Sequence, residues 1–261
     1  MKATVITIAN RKGGEGKTTA VSSIAGVTSS RGLKTLLIDM DSQANLTANF
    51  MQVESEQTIC DMFGDRKRRL PIVKVKENLY IVPGDGDIAG LESALKEPAD
   101  RLILNEAIEK VRADFDLILV DCPPDMGWCT INALSACDFL FVPMKMNSKS
   151  FEGVGKIANL CYQSAKRTFI NGIFFSEYYV NRKSTKRYET KARNTYGDTV
   201  METVIRPCSK LGDCADEFKD IIAFDPKCNG ALDYTALWDE MNGIIEKSEK
   251  GKEQKSNKGN E

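Results

Sequence analysis

Short apolar runs and amphipathic stretches alternate along most of this chain. Runs of branched and aromatic residues predict six buried strands, at 3–9, 34–41, 79–83, 117–120, 139–143 and 170–179. Helix-compatible stretches lie between them, at 19–30, 87–95, 100–113 and 151–166. Strands that alternate with helices predict an α/β fold: a doubly wound, mostly parallel sheet with helices on both faces, and a ligand beyond the carboxyl ends of its strands.

Two polar segments interrupt or end this pattern. Residues 53–78 turn polar and contain the basic cluster Arg66-Lys67-Arg68-Arg69, which we interpret as a surface loop, a small excursion from the fold or a partner site. From Lys247 to the end no residue is apolar. We therefore expect one domain over residues 1–246 and a disordered polar tail over 247–261.

Composition narrows the chemistry. The chain has 261 residues, 42% of them hydrophobic, and a formal net charge of −1, so any nucleic-acid binding would come from a local basic patch. It has no histidine, which excludes histidine-based catalysis and histidine metal sites. Its eight cysteines include no C-x-x-C pair, as expected of reduced thiols. With no signal-peptide pattern and no apolar run near the ~18 residues of a membrane span, we expect a cytoplasmic protein.

A glycine-rich segment separates the first predicted strand from the first predicted helix. It reads Lys12-Gly13-Gly14-Glu15-Gly16-Lys17-Thr18-Thr19. Strand, glycine-rich turn and helix, in this order, form the context of a phosphate-binding loop, where backbone N–H groups and a helix N-terminus face an anion. Lys17 would place its charge on the terminal phosphates, and the Thr18 hydroxyl would ligate Mg²⁺. The alternative is a glycine turn with two solvated lysines.

Carboxylates end two of the predicted strands. Asp121 follows an apolar run and is expected to hold Mg²⁺ beside Thr18, directly or through water; capping a turn is the alternative role. Asp39 and Asp41 end the second strand, where an aspartate would position an attacking water, because phosphoryl transfer depends on placement and charge neutralisation. The alternative for this pair is surface carboxylates at a strand end.

The glycine-rich segment departs from the standard pattern G-x-x-x-x-G-K-[ST], whose first glycine is replaced here by Arg11. Paired glycines preceded by Lys12 resemble the deviant Walker A loop of the ParA/MinD family of P-loop NTPases. The resemblance implies that Lys12 reaches across a nucleotide-sandwich dimer to the partner's phosphates, and it makes Lys12, Lys17 and Asp41 the catalytic residues. The segment 39–47, DMDSQANLT, resembles the family's switch segment, which implies that Asp41 orients the water and Asp39 supports the metal shell.

Further segments, at 87–92, 116–127, 130–134 and 224–231, are also similar to this family, so the resemblance covers roughly residues 3–245 in order. It is closer to the partition ATPases than to MinD, which ends in a basic amphipathic membrane helix. The resemblance implies an ATPase domain over 1–246, ATP and Mg²⁺ as cofactors, and slow hydrolysis stimulated by a partner. It also implies that backbone after Pro207 and the loop near Asn181 line the adenine.

Three residues depart from the family pattern. Glu15 replaces a small apolar residue and would repel the triphosphate unless its side chain points outward or meets a cation across a dimer. Ser42 replaces the switch proline and is expected to loosen that turn. Phe218 stands where glycine is common, in the region expected to surround the adenine.

A basic stretch follows the sixth predicted strand. Residues 181–193, NRKSTKRYETKAR, carry six Lys or Arg against one Glu. By the resemblance, Arg182 matches an arginine that contributes to nonspecific DNA binding, and Lys183, Lys186 and Arg187 would widen that surface. Contacts of this kind neutralise phosphates and depend on salt. A solvated helix face is the alternative.

These features favour a DNA-partitioning ATPase that forms a homodimer with ATP and coats double-stranded DNA. A ParB-like cargo adaptor would stimulate its hydrolysis, which implies a nucleoid-associated protein with no membrane partner. One alternative is a positioning ATPase for a protein cargo. Another is a small-molecule enzyme of the same fold, such as a ligase that activates a carboxylate with ATP; ATP-dependent dimerisation discriminates against it.

Overall fold

The computed structural model describes residues 2–166 and 168–258, and its centre is an eight-stranded sheet. The strands are β1 Thr4–Ile8, β2 Thr35–Asp39, β3 Val73–Lys76, β4 Leu79–Val82, β5 Leu117–Asp121, β6 Phe139–Met144, β7 Ile170–Phe175 and β8 Val200–Val204. Their order is β3-β4-β2-β5-β1-β6-β7-β8, and only the β3–β4 pair at one edge is antiparallel. The predicted doubly wound, mostly parallel sheet is confirmed.

Helices connect the strands over the two faces of the sheet. They are α1 Lys17–Ser30, α2 Asn45–Ala48, α3 Ile59–Gly64, α4 Ile88–Ala94, α5 Ile103–Glu109, α6 Trp128–Ala136, α7 Ser148–Cys161, α8 Lys183–Tyr196, α9 Lys210–Asp216, α10 Ile221–Phe224 and α11 Asn229–Lys258. Short 3₁₀ turns occupy Pro98–Leu102, Arg112–Asp114 and Gly197–Thr199. No described helix is long and apolar enough to cross a bilayer.

Two apolar layers hold the helices on the sheet. Ile6 and Ile8 of β1 pack in one layer with α1 and α11, whereas Val5 packs in the other layer with α5, α6 and α7. Neighbouring residues of a strand point to opposite faces, so a strand covered on both sides needs a continuous apolar run. This requirement explains why the central strands were recognisable from sequence.

Two strands were not predicted from the sequence. β3 reads VKVK and β8 reads VMETV, and both lie at edges of the sheet. Edge strands expose one side to water and are commonly polar or charged, so they lack the apolar run of a central strand. In the opposite sense, the strand predicted over 170–179 ends at Phe175.

The C-terminal segment differs from the expectation of a disordered tail. Helix α11 continues through Lys258, so residues 247–258 are helical, while 259–261 of the predicted tail lie outside the described residues. Tyr234, Leu237 and Ile245 of α11 are buried against the sheet layer. Extending an established helix adds a hydrogen bond per residue without a new nucleation cost, and Lys, Glu and Gln are good helix formers. A segment without apolar residues can therefore continue a helix whose earlier turns are buried, and disorder of the tail stays a prediction.

Candidate nucleotide-binding site

The glycine-rich loop joins the end of β1 to the start of α1. Gly14 and Gly16 take φ of +73° and +88°, a left-handed backbone that favours glycine, and α1 begins directly afterwards at Lys17. The buried Lys17 ammonium donates to the Lys12 carbonyl oxygen at 3.5 Å. The loop therefore turns back on the N-terminus of a 14-residue helix, as a phosphate cradle requires.

The sheet register brings the predicted metal residues to this loop. β5 lies between β1 and β2, with Asp121 opposite Ile8 on one side and Asp39 on the other. The Thr18 hydroxyl donates to Asp121 Oδ2 at 2.6 Å. Thr18, Asp39 and Asp121 thus meet at the carboxyl ends of adjacent strands.

Asp121 has the surroundings of a cation ligand. Its side chain is fully buried, and its Oδ1 has no hydrogen-bond partner among the described residues. Burial, followed by the nearby charge of Asp39, raises the pKa of Asp121 well above its ordinary value. A buried carboxylate oxygen without a donor, next to a hydroxyl, suits a hard cation that prefers oxygen ligands. Thr18 and Asp121 therefore fit Mg²⁺.

Asp39 supports the switch segment. Thr47 donates to Asp39 Oδ2 through both its backbone N–H and its hydroxyl, each at 2.8 Å, and the Asp41 N–H donates to Asp39 Oδ1 at 3.1 Å. The Thr47 hydroxyl in turn accepts from the Gly84 N–H at 2.9 Å. Asp39 therefore anchors residues 41–47 to the sheet; its role in the metal shell stays a prediction.

Asp41 lies closer to the phosphate side. Its Oδ1 accepts from the Gln43 N–H at 3.0 Å, and the Ala44 N–H closes a turn on the Asp41 carbonyl at 2.9 Å. Ser42 lies inside this hydrogen-bonded turn, which therefore forms without the proline of the family pattern. Asp41 shares a cavity wall with Gly13 and Lys17, the position from which a carboxylate can orient a water.

Two adjoining cavities follow the loop. One, of about 480 Å³, is lined by Lys17, Thr18 and Asp41 together with Pro124. The other, of about 470 Å³, shares Gly14, Gly16 and Thr19 with the first and extends to Tyr179, Pro207 and Tyr234. The first suits phosphates and the second a base. Another cavity, of about 560 Å³ between 42–58 and 83–87, is lined by none of residues 12–19.

The base-side cavity modifies the adenine expectation. Pro207 lines it as predicted, whereas Asn181 is not among the described residues that do; Tyr179, two positions earlier, is. Strand β7 ends at Phe175, so Tyr179 belongs to the loop after the strand and not to the strand itself, and this loop lines the cavity. Phe218 has a φ of +54°, in the left-handed region where glycine is favoured.

The Glu15 carboxylate is paired with a cation of its own chain. Its side chain is fully buried, and Lys12 Nζ of the same chain lies 2.9 Å from its Oε1. An outward side chain or a cation across a dimer was expected from the sequence, and this intrachain pair was not. Ser150 and the Lys145 backbone also donate to Glu15, and no local pattern indicates these partners because they lie 130 or more residues away.

The basic stretch forms an exposed helix face. Arg182 precedes α8, and Arg182, Lys183, Lys186 and Arg187 are all exposed. The Arg182 guanidinium lies 3.5 Å from the centre of the Tyr179 ring, which itself lines the base-side cavity. The helix contains buried Thr185 and Ala192 on its other face, so the positive side chains extend to solvent.

The cluster 66–69 is partly committed to intrachain contacts. Arg66 pairs with the buried Asp100, and Arg68 pairs with Asp61 at 2.6 Å. Lys67 and Arg69 are exposed. Half of this cluster therefore stabilises the loop after α3.

Comparisons with known proteins show the family of this chain. A family model described as an AAA domain, AAA_31, matches residues 3–172. The chain is 30% identical over 243 residues to the chromosome-partitioning ATPase Soj of Treponema pallidum, covering 89% of this chain and 94% of that protein. It is 29% identical over 248 residues to the chromosome partitioning protein ParA of Caulobacter vibrioides, covering 91% and 93%.

Solved structures share the fold. Cobyrinic acid a,c-diamide synthase of Mycobacterium smegmatis, crystallised with an ATP analogue and magnesium, superposes with a TM-score of 0.78 at 24% identity, covering 91% of this chain and 93% of that one. Apo McdA of Cyanothece superposes with a TM-score of 0.79 at 16% identity, covering 93% and 99%. At these identities the likeness concerns the fold alone.

Proposed function

Because this chain belongs to the family of ParA- and Soj-type partition ATPases, we propose that it binds ATP with Mg²⁺, dimerises around the nucleotide and uses nonspecific DNA binding to partition a cargo. The observation that carries the proposal is the convergence of Lys17, Thr18, Asp41 and Asp121 at the glycine-rich loop. Lys17 and Thr18 lie in the first turn of α1, and Asp41 and Asp121 lie at or just after the ends of β2 and β5. Together they supply the charge and oxygen ligands that phosphoryl transfer uses.

The nucleotide would occupy both cavities along the loop. Loop N–H groups and Lys17 would bind the phosphates, and the wall at Tyr179 and Pro207 would hold the base. Thr18 and Asp121 would ligate Mg²⁺, which neutralises phosphate charge. Asp41, which lines the same cavity as Lys17 and Thr18, would orient the attacking water.

Dimerisation would supply the cation that a single site lacks. Lys12 is partly exposed, with a side-chain accessibility of 36%, so it can reach a second copy if it leaves Glu15. Two chains facing each other across nucleotide would each lend a Lys12 ammonium to the other's phosphates. Charge-assisted contacts of this kind are worth roughly twice a neutral hydrogen bond.

DNA binding would follow from pairing two basic faces. Nonspecific contacts alone give a Kd of about 10⁻⁴–10⁻⁶ M at physiological salt. A dimer that presents both α8 faces to one duplex gains avidity without new contacts. ATP would thus switch DNA association on, and a cargo-bound adaptor that stimulates the slow hydrolysis would release it.

A nucleotide and salt series tests this function. Dimer formation and DNA retention are measured without nucleotide, with ADP, with ATP and with a slowly hydrolysed ATP analogue, each at several salt concentrations. We expect both signals with ATP and the analogue only, and steep loss of DNA binding as salt rises. A chain that stays monomeric with the analogue contradicts the proposal and favours a small-molecule enzyme of the same fold.

A further inference from the structure

Glu15 is the most heavily anchored side chain of the glycine-rich loop. Its Oε2 accepts from the Lys145 N–H at 2.9 Å, and its Oε1 accepts from the Ser150 hydroxyl at 2.7 Å and pairs with Lys12 Nζ at 2.9 Å. Its own carbonyl accepts from the Ser176 hydroxyl at 2.8 Å. The carboxylate is therefore fixed by the β6–α7 junction, and Lys12 is the more accessible member of the pair.

One ammonium cannot serve two anions at different places. On Glu15, Lys12 is held within its own chain; on a partner's phosphates, it must leave that carboxylate. Glu15 is fully buried whereas the Lys12 side chain is 36% accessible, so Lys12 is the member of the pair that can turn to another partner. After departure each Glu15 oxygen keeps one neutral donor, from Ser150 or Lys145, so the buried carboxylate stays hydrogen-bonded although it loses its countercharge, and this loss opposes the exchange.

We propose that Glu15 is a positioning residue for Lys12, which it retains on its own protomer until a second, nucleotide-loaded copy offers phosphate oxygens. The inference rests on the proposed function, because it presupposes that Lys12 acts across a dimer. Each dimer breaks two such pairs, one in each chain. Glu15 thereby raises the protein concentration at which ATP drives dimerisation.

The decisive variant is Glu15→Gln. The amide has the size of the carboxylate and can still accept from Ser150, but it no longer carries the charge that attracts Lys12. The dimerisation midpoint is measured by sedimentation over a concentration series of the full chain, with Mg²⁺ and a slowly hydrolysed ATP analogue. We expect the midpoint to fall roughly tenfold, since the two Lys12–Glu15 pairs of a dimer no longer oppose assembly.

Lys12→Ala and the double variant Lys12→Ala/Glu15→Gln complete a cycle. The gain from Glu15→Gln must vanish when Lys12 is absent, a coupling that a purely structural role of Glu15 would not produce. Ser150→Ala changes the midpoint in the opposite direction: it leaves the charge but removes the donor that Glu15 Oε1 keeps after Lys12 departs, so its midpoint should rise above that of the parent. If Glu15→Gln does not fold, Glu15→Val fills the buried position without charge and carries the same expectation.

The outcomes separate this inference from the function beneath it. A lower midpoint for Glu15→Gln that depends on Lys12 supports the proposal. An unchanged or higher midpoint, with Lys12→Ala still impaired, overturns the role of Glu15 and leaves the sandwich dimer standing. If Lys12→Ala dimerises like the parent, Lys12 does not act across a dimer, and both the trans contact and this inference fail.

Discussion

The Thr18 hydroxyl donates a 2.6 Å hydrogen bond to Asp121, a residue 103 positions later in the chain. The bond joins the first turn of α1 to the end of β5, and the other carboxylate oxygen of Asp121 is left without a donor among the described residues. Asp121 is held in place by Thr18 and by the strand pairing of β5 with β1 and β2. A metal ligand built this way is positioned before any metal binds.

Asp121→Asn should separate stability from activity. The amide can still accept from Thr18, and it cannot become the buried charge that desolvation and Asp39 disfavour by raising the pKa of Asp121. We expect Mg²⁺-dependent hydrolysis to fall to background. The free energy of unfolding without nucleotide should stay unchanged or rise by about 1–2 kcal/mol, because burying an unpaired charge is costly. Denaturant unfolding and a phosphate-release assay measure the two effects; a destabilised variant would contradict this expectation.

Lys17→Ala should remove nucleotide affinity. The ammonium is buried against the loop, and it is the charged donor of the phosphate-side cavity. Hydrogen bonds to charged groups contribute about 1.5–3 kcal/mol, so ATP affinity should fall by roughly 10–200-fold. Arg11→Ala is the control, because Arg11 is exposed beside the same loop and should change little. Retained affinity in a direct binding assay would refute the loop assignment.

Asp41→Ala should keep ATP binding and stop turnover. Asp41 lines the phosphate-side cavity, yet Lys17 and Thr18 make the contacts expected to hold the nucleotide. Without a water-orienting carboxylate, the ATP state should persist and the dimer should accumulate. Single-turnover hydrolysis and sedimentation with ATP check both effects. Normal hydrolysis would remove Asp41 from this role.

The sequence predicted best what local patterns determine. The central strands are covered on both faces and are therefore continuously apolar, and the loop at 12–19 needs glycine where φ is positive. Each feature produces a sequence pattern that is complete within a few neighbouring residues. Fold and phosphate loop could be derived for this reason.

Contacts between segments distant in sequence produce no such local pattern. Glu15 was recognised as unusual, but its partners Lys145 and Ser150 follow only from how β6 and α7 pack beside the loop. The cavity proposed to hold the base is lined by Tyr179 and not by Asn181, and β7 ends at Phe175, a boundary that residue types do not specify. In α11 the polar residues 247–258 continue a helix whose earlier turns are buried, a continuation that composition alone does not indicate.

Arg182→Ala combined with Lys186→Ala should weaken DNA retention while ATP hydrolysis is preserved. Both side chains are exposed at the start of α8, so the double variant removes four positive charges from a dimer. Removing one phosphate contact reduces the slope of log affinity against log salt by about 0.9, hence by up to about 3.6 for the dimer. Lys67→Ala combined with Arg69→Ala is the matched control, since it removes the same charge from the exposed part of the other basic cluster. If the control flattens the salt dependence and the α8 variant does not, the duplex binds at 66–69 and the face of α8 is merely solvated. If DNA affinity falls by the same factor in both variants, DNA retention depends on net charge rather than on a defined patch.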